Sequence, residues 1–260
     1  KSFVMIKRSA ALANKELNAL DADRADAIVK ACDEIMAGKL LDQFLIEEIN
    51  SGAGTAFNMN VNEVIANRAL EILGRKKGEY EILNPNDHVN MSQSSNDTFP
   101  TAAHLAIILN MVQTISVIDK LIESFQRKAE EFKDVIKIGR THLMDAIPVT
   151  LGDEFEEYAF SFKKARDGLI QSMEQLKYIG LGGTAVGTGA NSPKGYREIA
   201  IKHLSEISGV NLKPSVNMFY SLQSKFDVAN CSSSLRNLAL ELIKMANDLR
   251  LMASGPTAGF

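Results

Sequence analysis

The sequence has few cysteines: only Cys32 and Cys231 occur, and they are far apart in the chain. This argues against a disulfide scaffold and a cysteine metal site, and it fits a reducing cytoplasm. No run of eighteen apolar residues occurs, so we expect no membrane span. The net charge is −3 with both signs interspersed, and nothing indicates a nucleic-acid or acidic-membrane partner.

We also expect no signal peptide, because Lys7, Arg8 and Lys15 interrupt the apolar pattern near the start of the sequence. The sequence begins without Met and already inside a helical repeat, so we expect further residues before Lys1. A length of 260 residues allows one or two domains with a sizeable core.

Most of the sequence shows apolar residues at helical spacing. Apolar residues at helical spacing predict helices over residues 1–20, 57–73 and 196–208, and Asp21 or Asp23 is a candidate cap for another helix. Three longer helices have coiled-coil spacing, and Pro148 is predicted in the first turn of the second. The seam of the first consists of Ile115, Ile118, Ile122, Phe125, Ala129 and Phe132. No strong strand pattern is found. The predicted fold class is therefore all-α, a long-helix bundle.

Apolar residues also lie off the main seam of the first long helix. They are Ile107, Leu109, Val117 and Leu121. A lone bundle would leave this surface exposed, so we predict a homo-oligomer.

The stretch over residues 84–100, NPNDHVNMSQSSNDTFP, is almost free of aliphatic side chains. Its short neutral donors suit an anion site that must form without large motions, although a surface loop would also tolerate them. A helical repeat is predicted to begin just after Pro100.

Three further loops are candidate sites. Residues 52–55 read GAGT, which also fits a plain tight turn. His142 follows Thr141 and is predicted to precede a helix start, where backbone N–H groups attract anions. The loop at residues 180–189 is rich in glycine but lacks the phosphate-loop pattern, which excludes that motif. Without a Ser-His-Asp order, a metal cluster or paired carboxylates, the residues alone indicate an all-α oligomer whose polar loops converge on a small anion.

Taken together, these loops resemble the aspartase/fumarase superfamily of lyases over nearly the whole chain. The matching segments are GAGTAFNMNVNEVIANRALEILG at residues 52–74, HVNMSQSSNDTFPTA at 88–102, GRTHLMDAIPVTLG at 139–152, GGTAVGTGANSP at 182–193 and NDLRLMASGPTAG at 247–259. The first four of these segments are long motifs in the right order and are specific for the superfamily.

The resemblance implies a cytoplasmic homotetramer with a shared central helical bundle and active sites built from three subunits. It implies β-elimination from a four-carbon dicarboxylate to fumarate through an aci-carboxylate dianion, without cofactor or metal, and without a nucleic-acid or membrane partner. His142, Thr141 and Ser95 would be the catalytic residues. The implied substrate-binding residues are Thr55, Ser94, Ser95, Asn96, Thr141, His142 and, less directly, Asn191. The implied domains are an N-terminal helical domain over 1–96 and a bundle domain over 97–260, incomplete at its C-terminus.

Within the superfamily, three positions distinguish the branches. Ala53 and Asn84 resemble the aspartate ammonia-lyase branch, whereas class II fumarases usually have Ser and His there. Ser95 resembles the fumarase branch. The balance favours elimination of ammonia from L-aspartate, with hydration of fumarate as the alternative. The argininosuccinate and adenylosuccinate branches match less well.

Several positions depart from the superfamily pattern, namely Ala56, Met144, Asp153 and Thr257. The superfamily's flexible loop with the serine base, G-S-S-x-M-P-x-K-x-N, does not occur in this sequence, which ends at Phe260. We therefore expect no turnover from the 260-residue polypeptide alone. A non-catalytic helical scaffold is the alternative from a different class.

Overall fold

The structure is a computed structural model that describes residues 1–47, 49–50 and 53–256. Gly52 and Thr257, which the sequence predictions use, lie outside the described residues. The chain divides into two compact units, Lys1–Ile107 with Leu176–Lys225, and Ile108–Gln175 with Phe226–Phe260. The predicted domains, 1–96 and 97–260, stay a prediction, because these units are defined by contacts and not by independent folding.

The first unit contains a group of short helices around a buried core. They are α1 (Ser2–Glu16), α2 (Ala22–Met36), α3 (Thr55–Ile72), α6 (Tyr196–Ser208) and α7 (Met218–Gln223). The α1 helix packs against α2, α3 and α6. Its apolar stripe is buried, with Ile6 and Ala10 fully inaccessible to solvent.

Capping and turn residues delimit these helices. Asp21 caps α2 and accepts a hydrogen bond from the Arg24 backbone N–H at 3.0 Å, which confirms one of the two predicted caps. The predicted α6 bounds are also those found. Short connectors include a 3₁₀ turn (Leu41–Gln43), a π turn (Pro85–Val89) and two parallel two-residue strands, β3 (Tyr178–Ile179) and β4 (Lys213–Pro214).

The α4 helix (Ser95–Glu131) contributes to both units. It begins five residues before Pro100, so the prediction that the helical repeat starts beyond Pro100 was wrong. Pro100 lies inside the helix near its first turns. A start signal was present in the sequence, because Ser94 and Asp97 have the spacing of a capping box.

The second unit contains the rest of α4, most of α5 (Leu151–Leu176) and α8 (Phe226–Met252). The predicted seam of α4 is buried at Ile118, Ile122 and Phe125. Phe125 packs against three aromatic residues of α5, with its ring stacked on Phe162 at 5.6 Å between centroids. The all-α class is thus confirmed, with long helices packed side by side in this unit.

A β-hairpin interrupts the helices of the second unit. Strands β1 (Ile136–Thr141) and β2 (Met144–Thr150) pair antiparallel. Pro148 pairs with Ile138 within this hairpin, so its predicted place in a helix was wrong, and so was the absence of strands. The α5 helix begins at Leu151, because the Thr150 Oγ1 accepts from Asp153 N at 3.1 Å and the Asp153 carboxylate accepts from Thr150 N at 2.8 Å.

The helices of the second unit leave large apolar side chains exposed. Val117, one of the off-seam residues named from the sequence, is 60% exposed, and Ile243 is 57% exposed. By length and composition alone α4 could cross a membrane, and 22% of its most apolar stretch is buried. The core helix of a soluble protein passes the same test, so the expectation that no segment spans a membrane stays a prediction.

Candidate active site

The polar stretch divides into a π turn and the start of α4. Asn84 caps the π turn, and its side-chain oxygen accepts from the backbone N–H groups of Asn86 and Asp87 at 2.8 and 3.1 Å. The Asn84 backbone N–H in turn donates to His88 Nδ1 at 2.7 Å. Burial, and then the nearby Arg24 cation, lower the pKa of His88. This half of the stretch therefore uses its polar groups mainly to hold its own backbone.

Reciprocal hydrogen bonds start α4. Ser94 Oγ accepts from the Asn96 backbone N–H at 3.2 Å, and Asp97 accepts from the Ser94 backbone N–H at 2.9 Å. The Asn96 side chain donates to the Ala185 carbonyl at 2.8 Å. Ser94 and Asn96, two of the predicted substrate-binding residues, thus also have structural partners. A helix N-terminus still provides the positive potential that favours a bound anion.

Asp97 joins this helix start to the glycine-rich loop. Its second carboxylate oxygen accepts from the backbone N–H groups of Gly182 and Thr184 at 3.1 and 2.9 Å. The side chain is fully buried, and burial raises its pKa to about 6 although the three backbone N–H groups and Lys7 oppose the shift. The carboxylate therefore fixes the position of the loop relative to α4.

Lys7 lies fully buried beneath the polar stretch. Its ammonium donates to Asn90 Oδ1 at 2.8 Å and to Gln93 Oε1 at 2.9 Å. Burial lowers its pKa to about 7, and the negative charge of Asp97 partly opposes this effect. A buried cation held by two amide oxygens fixes the shape of the loop above it.

Two cavities in the first unit are lined by the predicted residues. Ser94 and Asn191 line one of about 630 Å³, between the polar stretch and the glycine-rich loop. Ser95 and Asn96 line the other, of about 440 Å³. Both cavities also touch Ala185 and Val186. The structure therefore brings four of the predicted residues to adjoining cavities.

Thr55 is the first residue of α3 and is exposed. The preceding residue, Gly54, has φ +74°, and a Cβ there would meet the Phe99 ring at 2.0 Å. This close approach needs glycine. It places the start of α3 against the first turns of α4, next to the residues that line the smaller cavity.

Thr141 and His142 belong to the second unit, in the β-hairpin. His142 and Leu143 form its two-residue turn, with φ +48° and +62°. These values match a type I′ turn, which favours Asn and Gly. His142 therefore lies at an exposed hairpin turn and not before a helix start, so that part of the prediction was wrong.

Sequence reasoning missed the buried polar residues that support these positions. Lys7, Asn58 and Asp97 have no exposed surface. The Asp97 position could have been found from the capping spacing, and helical spacing places Lys7, four residues after Phe3 and three before Ala10, at the edge of the apolar stripe of α1. The roles given to the predicted site residues themselves stay predictions.

Hydroxyls, amides and a helix N-terminus are suited to bind carboxylates and to stabilise a developing oxyanion. Among the residues that the structure describes, no group of three or more His, Cys, Asp or Glu side chains could hold a metal ion.

Comparisons with known proteins give the same family. A family profile described as lyase matches residues 1–260. An aspartate ammonia-lyase from Bacillus sp. is 47% identical over 259 residues, which are 100% of this chain and 55% of that protein. A class II fumarate hydratase from Haemophilus influenzae is 46% identical over 260 residues, which are 100% of this chain and 56% of that protein.

A solved structure described as fumarate lyase:delta crystallin from Brucella melitensis, bound to cobalt, is similar in fold. The TM-score is 0.94 at 47% identity, and the match covers 99% of this chain and 56% of that one. The chain spans about half the length of the curated relatives it matches. With the family profile matching from end to end, and with the helical bundle found in the structure, the chain belongs to the aspartase/fumarase superfamily of lyases.

Proposed function

We propose that the complete protein catalyses the reversible elimination of ammonia from L-aspartate to give fumarate. The observation that supports this most is the gathering of short neutral donors at the start of α4, where Ser95 and Asn96 line a cavity of about 440 Å³. In this mechanism a base removes a proton next to one carboxylate. The resulting aci-carboxylate dianion is stabilised by such donors before the leaving group departs.

In this proposal Thr141 and His142 contribute to an active site that loops of three subunits build, as the resemblance implies. His142 would orient or neutralise one substrate carboxylate, and Thr55, Ser94 and Asn191 would bind the substrate. The serine base belongs to a superfamily loop that is not in residues 1–260. A separate polypeptide of these residues should therefore give no turnover.

Asn84 supports ammonia, and not water, as the leaving group. Class II fumarases usually have His at this position, where it serves a second dicarboxylate site. Here the Asn84 side chain already accepts two backbone hydrogen bonds as the cap of the π turn. The names of similar proteins include both activities, so class II fumarate hydratase remains the second candidate.

A homotetramer with shared active sites and a cytoplasmic location are parts of the same proposal. The apolar residues exposed on the bundle helices support assembly, with Val112 and Val117 more than half exposed on α4. Cys32 and Cys231 are both free and buried, which fits a reducing compartment.

The test is to add L-aspartate or L-malate separately to the complete protein and to follow the ultraviolet absorbance of fumarate. We expect fumarate from L-aspartate, and faster release from L-malate would favour the hydratase instead. Turnover of neither compound would overturn the proposal and favour a non-catalytic scaffold.

Variants of the complete protein connect the activity to the site. Removal of one oxyanion donor typically lowers kcat by about 10²–10³, so Ser95→Ala should give a loss of that order. Ser208→Ala is the matched control, because Ser208 is at the end of α6, donates to the Leu204 carbonyl and lines neither cavity.

A further inference from the structure

A continuous chain of hydrogen bonds leads from the buried Lys7 to Ser95. Lys7 Nζ donates to Asn90 Oδ1 at 2.8 Å. Asn58 Nδ2 donates to the same Asn90 oxygen at 3.2 Å and to Ser95 Oγ at 2.9 Å. Lys7 and Asn58 are fully buried, so water does not compete for these groups.

Groups that can only donate or only accept determine the direction of each hydrogen bond between Lys7 and Ser95. The Lys7 amine presents hydrogens to the side-chain oxygens of Asn90 and Gln93. On their other sides the Asn90 nitrogen donates to the Gln93 carbonyl at 3.3 Å, and the Gln93 nitrogen donates to the carbonyls of Val89 and Met91 at 3.0 Å. Both amides are therefore oriented from two sides.

The orientation of the Asn90 amide determines the orientation of the Asn58 amide. If its amide were reversed, its own oxygen would face the Asn90 oxygen at about the 3.2 Å that now separates nitrogen from oxygen. Two acceptors would then be buried against each other without a hydrogen between them, which is unfavourable. The Asn58 nitrogen is therefore also the atom that faces Ser95.

Ser95 consequently accepts from the protein. A hydroxyl has one hydrogen to donate, and within the described residues no acceptor takes the hydrogen of Ser95. The same side chain lines the cavity of about 440 Å³. The hydrogen thus remains for a bound molecule.

We propose that Lys7, Asn90 and Asn58 are positioning residues that hold Ser95 as a hydrogen-bond donor toward this cavity. The substrate atom at Ser95 is then an acceptor oxygen, such as a carboxylate oxygen, and not an ammonium group. The inference rests on the proposed function, because it assigns a substrate group to the same site.

A neutral substitution tests the inference through ligand binding. Asn58→Leu in the complete protein removes the hydrogen bond that Asn58 Nδ2 donates to Ser95 Oγ, so the Ser95 hydroxyl is free to rotate. A hydrogen bond to a charged group typically contributes enough for about a tenfold change in Kd, so succinate binding by calorimetry should weaken by about 3- to 10-fold.

A double-mutant cycle separates this effect from general damage. In a Ser95→Ala background, Asn58→Leu should change succinate binding by less than about twofold, because the effect passes through Ser95. Asn67→Leu on the same helix is the matched control. In the described part of the chain the Asn67 side chain bonds Gly78 N and Tyr80 Oη and nothing near Ser95, so the change should leave binding unchanged. Equal losses with and without Ser95 would overturn the inference.

A second measurement needs no ligand and no stable variant. Neutron diffraction from deuterated crystals of the complete protein locates the hydrogens of Ser95 and Asn58 directly. We expect two deuteriums on the Asn58 atom that faces Ser95, and the Ser95 deuterium turned away from Asn58. A Ser95 deuterium directed at Asn58 would refute the inference. If the complete protein turns over neither L-aspartate nor L-malate, the proposed function fails, and the neutron map still decides the positioning role.

Discussion

Replacement of Lys7 by Met should change how the stability of the protein depends on pH. Lys7 is fully buried, and burial lowers its pKa from 10.5 to about 7. The ionisable groups that face it are Asp97 and Cys32, and both raise its pKa in part. Burial raises the pKa of the Cys32 thiol well above its usual range, and that of Asp97 to about 6. Between pH 7 and 9 Asp97 is therefore charged and Cys32 neutral, and Lys7 is the group of this cluster that titrates.

The direction of the stability change with pH follows from the number of protons that each state binds. Between pH 7 and 10.5 the unfolded chain keeps the Lys7 proton and the folded protein releases it, so the folded state gains stability as the pH rises. At 1.36 kcal/mol per pH unit, and with Lys7 half protonated at pH 7, the gain from pH 7 to 9 is about 2 kcal/mol. Below pH 7 the full cost of the buried charge is present.

The assay is urea unfolding of the complete protein and of Lys7→Met at pH 7 and at pH 9. The free energy of unfolding of the wild type, minus that of Lys7→Met, should be about 2 kcal/mol larger at pH 9 than at pH 7. Lys76→Met is the control, because Lys76 is exposed and its loss should add no such difference. If the free-energy difference between wild type and Lys7→Met is the same at both pH values, the account of Lys7 is wrong.

Three further substitutions test local features, each by the midpoint of urea unfolding. Gly54→Ala should cost about 2–5 kcal/mol, because left-handed backbone strain adds to a clash with the Phe99 ring; a loss below 1 kcal/mol would contradict the close approach. Ser94→Ala should cost about 1 kcal/mol through loss of the bond from Asn96 N, and no loss would mean that the cap is not formed. Leu143→Gly should raise stability by up to about 1 kcal/mol by relieving its positive φ, whereas a clear loss would argue against the I′ turn.

Local patterns in the sequence were enough to predict the features that depend on neighbours a few residues apart. Helical periodicity located α6 with its observed bounds, and the N-cap residue located the start of α2. Apolar residues repeated at heptad spacing predicted the seam that buries Phe125 among the aromatic residues of α5. These signals are local, because a helix is held by bonds between residues four apart.

Other features depend on contacts between distant parts of the chain. Pro148 fits a helix start as well as a strand, and its pairing with Ile138 across a hairpin decided between them. The polar stretch showed that short donors were present, but not which way each one points. That direction depends on Lys7, which contacts Asn90 and Gln93 more than eighty residues further along the chain. A hydrogen bond between such distant residues leaves no pattern in the sequence, because only the folded core brings donor and acceptor together and removes the competing water.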